Sequence, residues 1–481
     1  MNKKIFYITT TLPYVNSEPH LGHALEFIRA DIIARYKKLL GFEVFFNTGT
    51  DEHGLKIYRK AIEKGQTPQQ YVDEYAEIFK KILPLLGISE DVKFIRTTDE
   101  HHIMAAKEFW KVCDKNGYIY KKNYKIKYCV GCELEKSDSE LVNGKCPDHS
   151  NLELELIDEE NYFFKFSAFQ EKLLDLYTKR SDFVVPASRL KEIKNFVARG
   201  IEDFSISRLK TKMPWGIEVP GNGDQVMYVW FDALVNYIST LGWPDDMESF
   251  NKWWNETGGA LQYCGKDNLR QQSAMWQAML MAANIIPSKQ IVIDGFVTGA
   301  GGIKMSKTLG NVVSPVDLVR DYGTEALRYY VAREVHPFED TPFTAESFKA
   351  SYNANLANGL GNLVSRVMKM AETNLEKPVE IEEKTIPQEF FDLLEKFEIQ
   401  KATDLIWQKV SDLDSMIQKE QPFKLVKTEK EKGVRVIEAL AKELYTIGRM
   451  LNPIMPDTSK TIKDLVKANK SPKKPLFLRK D

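Results

Sequence analysis

A strand, a helix and a second strand open the chain in immediate succession, and this restricts the fold more than any other feature. Ile5 to Thr11 is a run of β-branched and aromatic residues without a charge, as a strand covered on both faces requires. Leu12-Pro13-Tyr14 closes it, and a helix is predicted from near Pro19, whose fixed φ suits a first helical turn. Leu21, Ala24, Leu25, Ile28, Ile32, Tyr36 and Leu39 then recur at three- and four-residue steps, and Gly41 stops the helix. Glu43 to Asn47 reads as a second strand, ended by Thr48-Gly49-Thr50-Asp51. Such a unit joins parallel strands, which predicts an α/β fold. Ligands of parallel sheets bind beyond the carboxyl ends of the strands. That rule selects Tyr14, Asp51 and the helix start at His20 to His23.

Residues 117–225 differ in character. They hold a cysteine cluster, short alternating runs and the turn Pro220-Gly221-Asn222-Gly223, and read as an inserted domain. Strand and helix patterns return at Gln225 to Trp230, Ala260 to Cys264, Ser273 to Ala283 and Gln290 to Ile293, and from about residue 352 the periodicity is helical. The expected organisation is an α/β domain in two halves (1–116 and 226–295), the insertion (117–225), a loop region (296–351) and a helical domain (352–481). A length of 481 residues allows about three folding units with large cores, so disulfides are unnecessary. With 67 basic and 68 acidic residues the net charge is −1, which excludes a uniformly basic nucleic-acid wrapper. The start runs into a strand without a signal-peptide core, and no apolar stretch approaches the roughly 20 residues that span a bilayer. A cytoplasmic protein with no membrane contact is expected.

Three motifs carry chemistry. His20-Leu21-Gly22-His23 puts two imidazoles on one face at a helix start, where amides and dipole attract anions, and Gly22 leaves room for a flat ring. Gly301-Gly302-Ile303-Lys304-Met305-Ser306-Lys307-Thr308 sets two lysines in a glycine-rich loop that can close over a polyphosphate. Each alone also fits a bland alternative, an ordinary helix start or a solvated charged loop. The third motif, Cys129-x-x-Cys132 followed by Cys146-x-x-His149, supplies four soft or borderline donors in two close pairs, the pattern of a closed tetrahedral zinc site. Gly131 and Gly144 stand where knuckle turns need them. Free thiols or a redox pair are the alternative there, and Cys113 and Cys264 read as buried core thiols.

The two nucleotide motifs together, in this order and flanking an α/β core, resemble the HIGH and KMSKS signatures of the class I aminoacyl-tRNA synthetases, with departures at Leu21 and Thr308. Further stretches resemble the methionyl branch. They are Leu12-Pro13-Tyr14, Gly49-Thr50-Asp51-Glu52-His53-Gly54, Val229-Trp230-Phe231-Asp232-Ala233-Leu234, Gly265-Lys266-Asp267, Asp203-Phe204-Ser205-Ile206-Ser207-Arg208 and Asn362-Leu363-Val364-Ser365-Arg366. The resemblance covers essentially the whole chain. It implies a Rossmann-like parallel-sheet catalytic domain, an inserted connective domain with a zinc knuckle and a C-terminal α-helical bundle. It also implies an enzyme that activates L-methionine with ATP and Mg²⁺ and charges tRNA(Met), with one structural Zn²⁺. His20, His23, Lys304 and Lys307 would be catalytic, joined in ATP binding by Gly22, Glu26, Gly265, Asp267 and Val297. Asp51 would hold the substrate ammonium with the backbone of Leu12, although an Asp there can also cap a helix. Tyr14, Trp230, Ala233, Leu234, Tyr237, Gln272 and Trp276 would form the methionine pocket, although such spacing also fits plain core. Gln271-Gln272 stands where many members have Phe-His; Gln272 is expected to face the pocket, where an amide offers hydrogen bonds but cannot titrate.

From Gln421 to the end, 15 basic and 7 acidic residues give a local excess that suits phosphate contact, or a merely solvated face. The resemblance implies anticodon binding by Asn362, Arg366 and Phe423, the last a smaller stacking face than the Trp common in the family. The chain stops soon after Pro475-Leu476-Phe477-Leu478, so a monomer is expected. Two other readings fit less of the sequence: another small class I synthetase, or a non-catalytic tRNA-binding paralogue.

Overall fold

The computed structural model describes residues 4–136, 140–303, 312–381 and 386–481. The chain divides into two compact units. One comprises Met1–Pro19, Glu43–Ile82 and Asp91–Ile293; the other comprises His20–Phe42, Leu83–Glu90 and Asp294–Asp481.

The first unit is built on a six-stranded sheet in the order Lys93–Arg96, Glu43–Thr50, Ile5–Thr10, Leu261–Gly265, Gln290–Asp294, Val184–Val185. Ile5–Thr10 lies between two parallel neighbours, with Ile5 opposite Glu43 and Ile8 opposite Leu261. Its buried run matches the apolar, β-branched composition, and the layout is the Rossmann-like arrangement implied by the resemblance. The second strand continues to Thr50, past the Asn47 limit predicted from the glycine. Gly49 is no turn residue: a Cβ there would stand 1.8 Å from the carbonyl oxygen of Ile95, so it serves close approach of neighbouring strands. Within residues 117–225, a four-stranded antiparallel sheet forms around a long pair, Ile119–Cys129 with Glu155–Phe164, in register from Ile119 opposite Phe164 to Tyr128 opposite Glu155, while Val184–Val185 of the same stretch is an edge strand of the six-stranded sheet. The expected strand through Trp230 ends at Met227. Val229–Ala233 is a short helix, because the Tyr228 carbonyl accepts the Phe231 and Asp232 amides.

In the second unit, Leu21–Leu39 is capped by His20, one residue later than Pro19 suggested. Two fully buried arginines join it to distant residues. Arg29 reaches Asp294 at 3.1 Å and the carbonyl of Val335 at 2.7 Å. Arg328 reaches Asp31 at 2.8 Å and the carbonyls of Ile454 and Pro453 at 2.7 and 3.0 Å. A guanidinium is tolerated in a dry interior when its fork is filled in this way. The remainder is mainly helical. Ile399–Glu420 buries Ile399, Ala402, Ile406, Val410, Leu413 and Ile417 on one stripe, and Lys430–Met450 buries Ile437, Leu440, Leu444 and Ile447. Gly433 permits close approach of Pro422–Thr428, since a Cβ would meet the Val426 amide nitrogen at 2.6 Å. No helix among the described residues is long and apolar enough to cross a membrane.

Candidate functional site

In the first unit, the loop after Ile5–Thr10 is tied to the end of its neighbour. Asp51 N–H donates to the Pro13 carbonyl at 2.9 Å, and Val15 N–H donates to the Asp51 carbonyl at 3.1 Å. Tyr14 and Asp51 form a parallel bridge, so both stand beyond strand ends, and the half-buried Leu12 lies on the same loop. Asp51 caps no helix; the next helix, Leu55–Glu63, starts from Gly54. The Asp51 carboxyl is 6 % exposed, and its Oδ1 has no hydrogen-bond partner among the described residues. Burial pushes its pKa well above the usual range, and Asp232, Glu133 and Glu52 add negative charge nearby. A buried carboxylate in this state is suited to receiving a cation.

Aromatic surface lies in the same unit. Trp230 is half-buried against the main core; Ala233, Leu234 and Tyr237 are buried, and Trp276 is fully so. The Trp276 ring lies 5.8 Å from Tyr237 and from Phe109, centroid to centroid, and the indole N–H groups of Trp230 and Trp276 have no partner among the described residues. Asp232 anchors this helix to His53 at 2.7 Å and His102 at 3.0 Å; burial opposes its charge, but the two imidazoles hold its carboxyl below the usual range. Gln272 is buried, and its Oε1 accepts from Gln262 Nε2 at 2.8 Å within a network that includes Gln277 and Ser288. At the end of Leu261–Gly265, Gly265 leads into a short turn carrying the exposed Asp267.

In the second unit, His20 Nδ1 accepts from Gly22 N–H at 3.1 Å, and His23 Nδ1 accepts from His20 N–H at 3.2 Å. An acceptor Nδ1 fixes the neutral tautomer, with the hydrogen on Nε2. The rings stack with centroids 3.8 Å apart, and burial followed by the His20 charge pushes the His23 pKa well down. Gly22 sits 3.0 Å, measured from a built Cβ, from the His20 ring. Glu26 is half-buried one turn further on, and Val297 is buried in a short pairing with Thr341. Lys304 and Lys307 lie outside the described residues. Beyond that stretch, the Val313 carbonyl accepts Leu21 N–H at 3.0 Å, which ties the chain following the lysine motif to the residue beside His20.

Cys129, Cys132, Cys146 and His149 offer ligand atoms that all lie within 4.8 Å of one another. Cys132 Sγ is 3.4 Å from Cys146 Sγ, too far for a disulfide, and 3.2 Å from His149 Nδ1. Donors around a tetrahedral ion of zinc's size stand about 3.5–3.8 Å apart, so the quartet can hold a metal ion and leaves no open position. Gly131 is required, since a Cβ would meet the His149 ring at 2.5 Å, and Gly144 has φ +74° in the opposite turn. Cys113 and Cys264 are buried thiols, and Cys264 Sγ–H donates to the Val292 carbonyl at 3.6 Å. Of the RNA candidates, Asn362 is exposed, Arg366 donates to Asp414 at 2.9 Å, and Phe423 is 45 % exposed.

Sequence reasoning missed Glu133, His53 and His102. Glu133 follows a cysteine ligand directly, has φ +50° and accepts the Tyr14 hydroxyl at 2.7 Å. Only its adjacency to Cys132 could have drawn notice.

A family model described as tRNA synthetases class I (M) matches residues 6–155 and 149–368. The chain is 40 % identical to a methionine–tRNA ligase of Caldanaerobacter subterraneus subsp. tengcongensis, over 95 % of this chain and 73 % of that protein. It is 37 % identical to one of Rickettsia typhi, over 96 % and 93 %. The Mycobacterium tuberculosis methionyl-tRNA synthetase bound by methionyl-adenylate superimposes with a TM-score of 0.89 at 35 % identity, covering 96 % of this chain and 94 % of that one. Its free-state structure matches at 0.84 and 30 % identity, over 100 % and 99 %. Agreement of this extent in both sequence and backbone shows that the chain belongs to the methionyl-tRNA synthetases of class I.

Proposed function

We propose that this chain activates L-methionine with ATP, forming methionyl-adenylate and pyrophosphate, and then transfers the methionyl group to tRNA(Met). The methionine carboxylate attacks the α-phosphorus of ATP in line, and the bond to the pyrophosphate oxygen breaks. A tRNA ribose hydroxyl then attacks the acyl carbon and AMP leaves. The observation that carries this reading is the buried Asp51 carboxylate with an unpartnered oxygen beside Tyr14, a receptor for the substrate ammonium. The helix start that carries His20 and His23 suits phosphate oxygens through its amides and dipole. Lys304 and Lys307 would offset charge on the departing pyrophosphate, and the anchoring of Val313 on Leu21 supports their acting on the same phosphates as the histidines. Glu26, Gly265, Asp267 and Val297 complete the proposed ATP contacts. Trp230, Ala233, Leu234, Tyr237 and Trp276 supply soft apolar surface for the thioether. Gln272, held by Gln262, would act as a fixed wall of the pocket.

The donor set fits Zn²⁺ in a structural role at Cys129, Cys132, Cys146 and His149, and Mg²⁺ would accompany ATP. Asn362, Arg366 and Phe423 are the proposed anticodon contacts on the helical region, and the protein is proposed to act as a cytoplasmic monomer. The test is methionine-dependent ATP–pyrophosphate exchange with a panel of amino acids. Methionine alone should support it, and Lys307→Ala should slow it by roughly 10²–10³, as for a lost transition-state donor. No exchange with methionine, or full exchange in Lys307→Ala, refutes the reading.

A further inference from the structure

The Cys129–Glu133 segment supplies more than metal ligands. Glu133 stands directly after Cys132 in a left-handed conformation that L side chains rarely adopt, with φ +50°. That turn sets Glu133, 5 % exposed, against Tyr14, which is bridged to Asp51. Its Oε1 accepts two donors from separate elements, the Tyr14 hydroxyl at 2.7 Å and the Lys56 amide in the first turn of Leu55–Glu63 at 3.0 Å. Its own carbonyl accepts the Tyr228 hydroxyl. Space for this junction comes from Gly54: a Cβ there would stand 2.6 Å from Tyr14 Oη and 2.7 Å from Glu133 Oε2. Oε2 itself is buried without a partner among the described residues.

A strut for the knuckle would not need this geometry. Among the described residues, the side chain that the Glu133 carboxylate binds belongs to Tyr14, whose backbone is bridged to Asp51. Without that bond the phenol ring has freedom about its side-chain torsions, and ordering it falls on the incoming ligand. We infer that Glu133 is a positioning residue for amino-acid binding: it acts through the Tyr14 hydroxyl and holds that ring in its ligand-ready orientation beside Asp51. This deepens the proposed methionine activation and rests on it.

The experiment compares Glu133→Ala, Glu133→Gln, Tyr14→Phe and the double variant Glu133→Ala/Tyr14→Phe in the full chain. Methionine affinity is read by tryptophan fluorescence titration, exchange kinetics give KM and kcat, and zinc per chain is measured for each. Glu133→Ala is expected to raise the methionine KM and Kd roughly tenfold, the scale of one lost charge-assisted hydrogen bond, with the ATP KM and zinc content unchanged. Glu133→Gln keeps an acceptor oxygen and should restore most of the affinity. Glu133→Ala should add nothing in the Tyr14→Phe background, where the hydroxyl is already gone. The inference is overturned if the two substitutions are additive, if Gln is as poor as Ala, or if affinity falls only together with zinc. Failure of the wild-type protein to catalyse exchange would instead sink the activation reading.

Discussion

Replacing Asp51 with Asn separates function from stability. The wild-type carboxylate is buried, lacks a partner for Oδ1 and faces Asp232, Glu133 and Glu52. Burial is the main reason its pKa lies above 3.8, so the folded state binds a proton more tightly than the unfolded chain does. Stability therefore falls as pH rises from about 3.8 through the raised folded value, so keeping this group buried is a burden above that pH. Asn keeps the shape and removes the charge. The ligand-free variant should be more stable than wild type at pH 7 by about 1–3 kcal/mol, the scale of an unsatisfied buried group. Methionine binding should move the other way. A charge-assisted bond to the ammonium contributes about 1.5–3 kcal/mol, so the KM should rise roughly 10- to 150-fold. The wild-type KM should also rise as pH falls through the raised Asp51 value, and that dependence should vanish in the variant. Denaturant unfolding without ligand and exchange kinetics across pH measure both effects. A variant that is less stable than wild type and binds methionine normally would refute the reasoning.

Three further outcomes follow from the same structure. Asp31→Ala strands the fully buried Arg328 and should destabilise the second unit by about 3–5 kcal/mol, followed through Trp407 emission. Burial opposes the Asp31 charge, but Arg328, Arg35 and Ser89 hold its pKa below 3.8, so its contribution is present above that pH and is lost as pH falls through the lower folded value; an unchanged midpoint at pH 7 would count against the pair. Cys146→Ser should release the knuckle metal and expose residues 129–149 to hydrogen exchange, because metal-binding free energy there is folding free energy; retained stoichiometric zinc would contradict the assignment. Phe423→Ala should weaken tRNA binding by about 1–3 kcal/mol with exchange unchanged, and equal tRNA affinity would remove Phe423 from the interface.

What could be read from the sequence follows the range of each interaction. The first strand and Leu21–Leu39 were legible because burial imposes periods of 2 and 3.6 on neighbouring residues. The knuckle was legible because its donors come as two close pairs. Gly49 was misread as a turn because its reason is the Ile95 carbonyl on another strand. The strand expected at Trp230 gives way to a helix because an apolar run of that length fits either element. The engagement of Gln272 by Gln262 and the reach of Glu133 to Tyr14 depend on contacts that adjacency does not encode.

The Arg328 guanidinium carries a consequence for engineering. Cutting the chain where the helical periodicity begins, near residue 352, would remove the Pro453 and Ile454 carbonyls that fill its fork. A buried cation short of two acceptors would remain, held by the Leu86 and Gly87 carbonyls and by the same Asp31 on the helix begun by His20. A trimmed or transplanted version therefore needs either a replacement for those two acceptors or a neutral residue at 328. Without one of these, it should lose order around Arg328 and Asp31, and with it the helix start proposed to bind the nucleotide.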